Sequence, residues 1–401
     1  MEVNEFDKIH QDVERKLKIK KIIICGAIFL LVGIIIIIAS LYIADSSFRK
    51  QFDKVVLKKE ITAEDLVSIS IDGEQTNYVY SYDKYIVVLS KNVLKTYNQY
   101  GKQEYENELN ISNPIFKSNN RFLCVAESGG KKIYLISNGN IIWENEIEGE
   151  ISKINVNKNG YVSVAIAQTT HKSVIEVFNP NGKELFKTFL SSTIAIDTDI
   201  SNDNKYLGIA EVDISGVIVG SNIKIISMDK AQNDPQNSVI YIGDNKAGRM
   251  ISNIKYQDKD RLICNYGDGI EIIEKTEKQL ITEFDNNATY SDIDVTNAYV
   301  IAKEEKTGLF SVDTNINITT INNQKESTYK IGSSIRELYV YGDKLAINLG
   351  TEVHFINTNA WLLKKYTSNQ EIKEIVMGDS IAGIVYRDKI EILSIWRIFF
   401  K

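Results

Sequence analysis

The chain has 401 residues, 25% of them charged and 43% hydrophobic, with a formal net charge of −6. That is the composition of an ordinary folded protein. It excludes the clustered positive charge of a nucleic-acid binder, so no nucleic-acid partner is expected. Only three prolines occur, Pro114, Pro180 and Pro235, which leaves the backbone free to form many hydrogen-bonded strands.

At the N-terminus, residues 1–21 are expected to form a cytoplasmic tail. Phe6, Ile9, Val13 and Leu17 recur at helical spacing, which fits a short amphipathic helix or, equally, a solvated tail. Ile22 to Ala44 contains 23 residues and no charge. As a helix it would be about 34 Å long, enough for a hydrocarbon core of about 30 Å. An isolated segment in lipid must satisfy its own backbone, so a helix is its only option there. A cleaved signal peptide would have an apolar region of about 7–15 residues and small residues at the cut. This run is longer and ends "SLYIADSS", so an uncleaved anchor is favoured.

Arg15, Lys16, Lys18, Lys20 and Lys21 crowd one flank of the span, against Arg49, Lys50 and Lys54 on the other. The bias predicts a single-pass protein of the cytoplasmic membrane with a cytoplasmic N-terminus and an extracytoplasmic C-terminal part. Residues 45–65 then form a juxtamembrane stalk, with Phe48, Phe52, Val55 and Val56 suggesting a helical path.

From residue 66 onward helical periodicity gives way to short apolar strands divided by Asn, Asp and Gly turns. The segments "KYIVVLS", "RFLCVAES", "YVSVAIAQ", "KYLGIAEV", "RLICNYGD", "YVIAKEE", "KLAINLG" and "SIAGIVYR" are one strand repeated eight times. Each follows another short strand, such as "ISKINVN" or "TIAIDTD", and precedes a third, such as "VIEVFN" or "GIEIIE". Most units turn through Asn-Gly or a similar pair into a fourth strand, as in "NPNGKELFKTFL", where the turn needs positive φ.

Eight units over residues 66–395 average about 41 residues each, the period of a four-stranded propeller blade. A strand apolar on both faces must be covered on both, which a closed ring of blades achieves. The expected fold is therefore all-β: an eight-bladed, four-stranded β-propeller over residues 66–395, preceded by a single transmembrane helix. Seven blades is the alternative, because the fourth strand after Tyr299 is indistinct. The last unit supplies only three strands, so Glu64 to Ser70 is expected to complete it. Residues 396–401 remain as a C-terminal tail.

Cys25 lies in the apolar run, while Cys124 and Cys264 occupy matching positions in separate repeats. Such positions lie beyond the roughly 7 Å Cα limit for a disulfide, and the two read as small buried hydrophobes.

Two propeller families are similar to these units. "SNDNKYLGIAEV" resembles the turn and strand of WD40-like and TolB-type propellers. "SNGNIIWENEI" and "PNGKELFKTF" resemble the Gly-x-x-x-Trp repeat of quinoprotein-type propellers, with Trp143 and Phe186 at the aromatic position. The stretch from Lys205 to Tyr241 is similar to the longest blade of an uncharacterised Firmicute family with one N-terminal span and an extracytoplasmic propeller. The Ile-, Asn-, Lys- and Tyr-rich composition fits a clostridial source. A further resemblance, to the outer-membrane assembly lipoproteins with an eight-bladed quinoprotein-like propeller, implies scaffolding, although this chain has an apolar anchor in place of a lipobox. Resemblance of fold does not carry function.

Hydrolase elbows, H-E-x-x-H, phosphate loops and paired C-x-x-C motifs do not occur. Nor do the adjacent cysteines often found at a quinone and calcium site, so no quinoprotein chemistry and no enzyme is expected. His10, His171 and His354 read as surface or strand histidines. The chemical candidates are acidic pairs on innermost strands, Asp197 with Asp199 and Asp292 with Asp294. Spacing of i, i+2 puts both members of a pair on one side of a strand. Four carboxylates facing a channel would suit a hard cation such as calcium; the plain alternative is that wet channel positions tolerate Asp.

Two further features invite a binding role. Gly216 and Gly220 sit in a long excursion, followed by "DKAQNDPQN", and long loops on a rigid scaffold commonly bind. Tyr78, Tyr80, Tyr82, Tyr85, Tyr97, Tyr100 and Tyr105 crowd the first unit, as a sugar-stacking patch or as ordinary strand residues. The function favoured is a membrane-anchored binding or scaffolding module for an envelope protein, peptide or glycan partner. The alternatives are an extracytoplasmic ligand sensor and a metal-dependent hydrolase or lactonase using the channel acids.

Overall fold

The computed structural model describes residues 3–395 apart from 46–47, 50–51, 54–55, 58, 63–65, 168–169, 245, 285–287 and 309–310. The chain divides into two compact units, residues 1–60 and 61–401.

The first unit is dominated by a helix of 42 residues, Val3–Ala44. Within it, Lys20–Ala44 is long and apolar enough to cross a membrane, with a mean hydropathy of 3.4. The side chains of Phe6, Ile9, His10, Val13 and Leu17, and all of Val55, lie outside the described residues. Beyond the helix, Arg49 N–H donates to the Asp45 carbonyl at 3.0 Å and Val56 N–H to that of Phe52 at 2.9 Å, so parts of the expected stalk are helical. A buried polar knot ties the stalk to the helix end. The Tyr42 hydroxyl donates to Asp53 at 2.8 Å, Lys59 Nζ donates to the Tyr42 oxygen at 2.8 Å, and Lys59 pairs with Asp53 at 2.7 Å.

Among the described residues the second unit contains eight antiparallel sheets; blades one to seven each take four strands that follow one another in the chain, and the eighth draws one of its strands from the other end of the domain. The innermost strands are Tyr78–Tyr82, Pro114–Asn119, Glu150–Val156, Thr193–Ile200, Ile251–Tyr256, Ala288–Asp292, Glu337–Tyr341 and Glu374–Met377, in blades one to eight. Second strands such as Phe122–Glu127 and Ile381–Val385 are buried almost throughout, because neighbouring blades cover both faces. The core therefore lies between blades: Phe122, Cys124 and Trp143 of blade two pack with Val162, Val164 and Phe178 of blade three. Cys124 and Cys264 are buried free thiols in separate clusters.

The indistinct fourth strand of blade six is Glu326–Ile331, which settles the count at eight. The ring closes as expected. Val67–Ser70 pairs antiparallel with Lys389–Ser394, in register from Val67 opposite Ile392 to Ser70 opposite Lys389. Residues 64–65, the start of the expected closing segment, and 396–401, the expected tail, lie outside the described residues. A short strand inside the expected stalk, Glu60–Thr62, adds a fifth member to the sheet of blade seven.

Blade-to-blade register is set by a repeated clamp. Gly139, in the turn before the fourth strand of blade two, has φ 78° and lies so close that a Cβ would stand 2.1 Å from the Tyr105 ring of blade one. Gly182 of blade three has φ 79° and would meet Trp143 of blade two at 2.7 Å. Asn107 and Asn145 then donate to the carbonyls of these glycines at 2.7 and 2.8 Å. Only glycine both tolerates the left-handed backbone and lets the aromatic ring lie flat on the turn.

Candidate functional site

In each blade the first strand runs toward the turn that leads into the second, so these eight turns gather at one end of the central channel. There the ring opens into a cavity of about 750 Å³, lined by residues of all eight blades. Every innermost strand is a sheet edge, whose free N–H and C=O groups need partners. Much of the channel chemistry answers that need.

Asp197 and Asp199 sit on the innermost strand of blade four, on one side of it, as their spacing predicts. Their carboxylates are directed at the next blade: Asp197 accepts the Ile254 N–H at 2.9 Å and Asp199 that of Tyr256 at 2.6 Å. The pair therefore replaces two missing ladder bonds of blade five. In blade six, Asp292 accepts the Asp294 N–H at 2.6 Å, and Asp294 takes Lys255 Nζ of blade five at 3.1 Å. Burial pushes the Asp197 carboxyl up and that of Asp199 up to about 7, against the pull of the Ile254 and Tyr256 N–H donors. Burial, and then the nearby Asp294, also raises Asp292, whereas Lys255 holds Asp294 low.

The four aspartates expected as calcium ligands stay in two separate pairs. Among the described residues no three His, Cys, Asp or Glu side chains are grouped to hold a metal ion. The pairs stand on blades four and six with blade five between them, and their oxygens are engaged as edge caps and an ion-pair partner.

Other cross-blade bonds work the same way. Asn155 Nδ2 donates to the Thr198 carbonyl at 2.5 Å, and Gln257 Nε2 to those of Ile293 and Val295 at 3.1 and 2.9 Å.

Sequence reasoning passed over the cationic side of the cavity. Lys117 and Asn119, an i, i+2 pair at the end of blade two's innermost strand, line it with Asn120, and Lys158 of blade three stands beside them. No hydrogen bond or ion pair engages these four side chains among the described residues, and Lys117 is exposed to the channel. Asp294 holds the Lys117 ammonium above the usual lysine range. The signal in "IFKSNN" is the same polar alternation that marks the aspartates, but a search keyed to acids does not see it. The other lining lysines are paired: Lys255 with Asp294, and Lys344 with Asp343 at 3.1 Å. Asp379 of blade eight lines the cavity, and among the described residues no hydrogen bond or ion pair engages its carboxylate.

The remaining candidates fall elsewhere. His354 is wedged between Glu352 at 2.6 Å and Tyr329 at 3.0 Å, and burial lowers its basicity. His171 packs on Phe189 with ring centres 4.8 Å apart. The tyrosines are mostly core: Tyr82 and Tyr85 are buried, and the Tyr82 oxygen accepts the Gly139 N–H at 2.9 Å. Tyr100 is 73% exposed but stands apart from that core. Gly216 lies in a hairpin tip whose Ile214, Val217 and Ile218 are exposed, while Gly220 begins the following strand. "DKAQN" belongs to a short helix, Met228–Asn233, capped by Ser227.

The profile of a family of unknown function (DUF5711) matches residues 54–395. The chain belongs to this family. No curated protein matches its sequence. Among solved structures it is similar to BamB from Moraxella catarrhalis, with a TM-score of 0.51 at 10% identity, covering 84% of this chain and 98% of that one. It is also similar to apo AztD from Citrobacter koseri (TM-score 0.48, 12% identity, 80% and 90% covered) and to the WD40 domain of SCAP from fission yeast (0.48, 10%, 83% and 98%). At such identities the likeness to BamB speaks to the propeller fold alone.

Proposed function

We propose that this DUF5711 protein is a membrane-held binding module of the cell envelope, with its propeller outside the cytoplasmic membrane and the open end of the channel as its docking site. The observation that carries this reading is the 750 Å³ cavity whose lining includes unpaired polar side chains on a rigid ring. Cavities of this size suit a ligand or an inserted segment of a partner. The apolar helix, with its more basic N-terminal flank, supports the anchor and its orientation. Stapling of the channel aspartates to backbone N–H groups and a lysine supports binding over hydrolysis, since a general base must be free to take a proton.

Proximity labelling from a C-terminal fusion in living cells tests the reading. Reproducible labelling of extracytoplasmic envelope proteins is the expected result. Labelling confined to cytosolic proteins would overturn the orientation, and metal-dependent turnover of esters or lactones by the purified protein would overturn the binding role.

A further inference from the structure

Three charged side chains among the cavity residues make no hydrogen bond or ion pair among the described residues: Lys117, Lys158 and Asp379. Blades two and three thus present two ammonium groups with the amides of Asn119 and Asn120, while blade eight presents one carboxylate. Counting Lys255, Lys344, Asp197, Asp199, Asp294 and Asp343 as well, the ionised lining would hold four positive and five negative groups. Such a lining repels a polyanion, yet it leaves Lys117 and Lys158 outside any ion pair.

The complement is a ligand with one carboxylate and with N–H or ammonium donors elsewhere. Lysines recognise an oxyanion as compact point charges, and among the described residues no arginine lines the cavity to demand a planar bidentate partner. Carboxamides can pair with peptide N–H and C=O groups alike. A volume of about 750 Å³ accommodates a segment of a few residues.

We propose that the open end of the channel captures the C-terminal carboxylate of a peptide, with Lys117 and Lys158 as its anchors and Asp379 taking a peptide N–H or ammonium group. The proposal rests on the binding role given above and names the ligand class of that same site.

The test uses the full-length protein, immobilised in detergent micelles, and two pools of random N-acetylated tetrapeptides. One pool ends in free carboxylates; the other is amidated. Bound peptides are identified by mass spectrometry. The expected result is at least tenfold higher retention of the acid pool, lost in Lys117→Gln and Lys158→Gln proteins that keep the wild-type Tm. Inorganic phosphate at millimolar concentration should not displace the bound peptides. Equal retention of both pools, unchanged retention by the lysine variants, or no retention at all would overturn it. Displacement by phosphate would replace the carboxylate with a phosphate ligand. A negative result combined with specific envelope labelling would sink this ligand class and leave the broader binding role standing.

Discussion

Asp199 gives the clearest quantitative test of the channel architecture. Its carboxyl sits 7% exposed against the Tyr256 N–H, and burial raises its pKa from 3.8 to about 7. The folded state therefore holds this proton more tightly than the unfolded chain. The sign follows from linkage: with more protons bound in the folded state, stability falls as pH rises. The loss runs between the unfolded value, near 4, and the folded value near 7. At about 1.36 kcal/mol per unit, the penalty at pH 8 is at most about 4 kcal/mol. Asp199→Asn keeps an oxygen to accept the Tyr256 N–H and removes the charge. Urea unfolding of the full chain in micelles, followed by tryptophan fluorescence from pH 4 to 8, should show the variant gaining on wild type as pH rises. The gain should approach zero near pH 4 and reach up to about 4 kcal/mol at pH 8. Some slope persists in both proteins, because burial also raises Asp197. Parallel curves for the two proteins, or a variant that loses ground at high pH, would refute the reasoning.

Four further outcomes follow from the same geometry. Glu271→Ala leaves Arg249 with Asp268 alone and takes from Lys278 the carboxylate it approaches at 2.5 Å, and should cost about 1–3 kcal/mol in chemical denaturation. Gly182→Ala should cost at least about 1–2 kcal/mol from the left-handed backbone alone, plus the clash with Trp143, and should alter the Trp143 near-UV circular dichroism signal. Calcium added to the full chain should leave Tm unchanged; an increase of several degrees would mean that the four aspartates can regroup. Protease added to intact protoplasts should digest the propeller, and full protection would reverse the proposed topology.

The architecture was legible because a blade must bury both faces of its second strand, which writes the same continuous apolar run eight times. The clasp was legible from a missing fourth strand. What escaped was the direction of polar side chains. In "TIAIDTDI" the alternation places Asp197 and Asp199 on one side of a strand, but whether that side meets water or the next blade's N–H groups depends on the neighbouring strand Ile251–Tyr256, some fifty residues away. The clamp was hidden for the same reason. "YEN" (Tyr105 to Asn107) and "WEN" (Trp143 to Asn145) are visible repeats once the turn glycines they grip are known. A buried Glu recurs mid-way along the third strand as Glu176, Glu271 and Glu391, with His354 at the matching place in blade seven. It too reads as surface until its pairing lysines and arginine are seen.

The four-residue clasp Val67–Ser70 has a consequence for biogenesis. The first strand of the ring finds its partner only in Lys389–Ser394, so a chain emerging N-terminus first must keep that strand unmated until some three hundred further residues have been made. During that interval the sheet edge of blade one and the free clasp strand are exposed together. Synthesis and folding are thereby locked into an order. Blades can form one after another as they appear, but the circle is sealed last, and a chain truncated before residue 389 would leave an open arc with two bare edges for quality control to recognise.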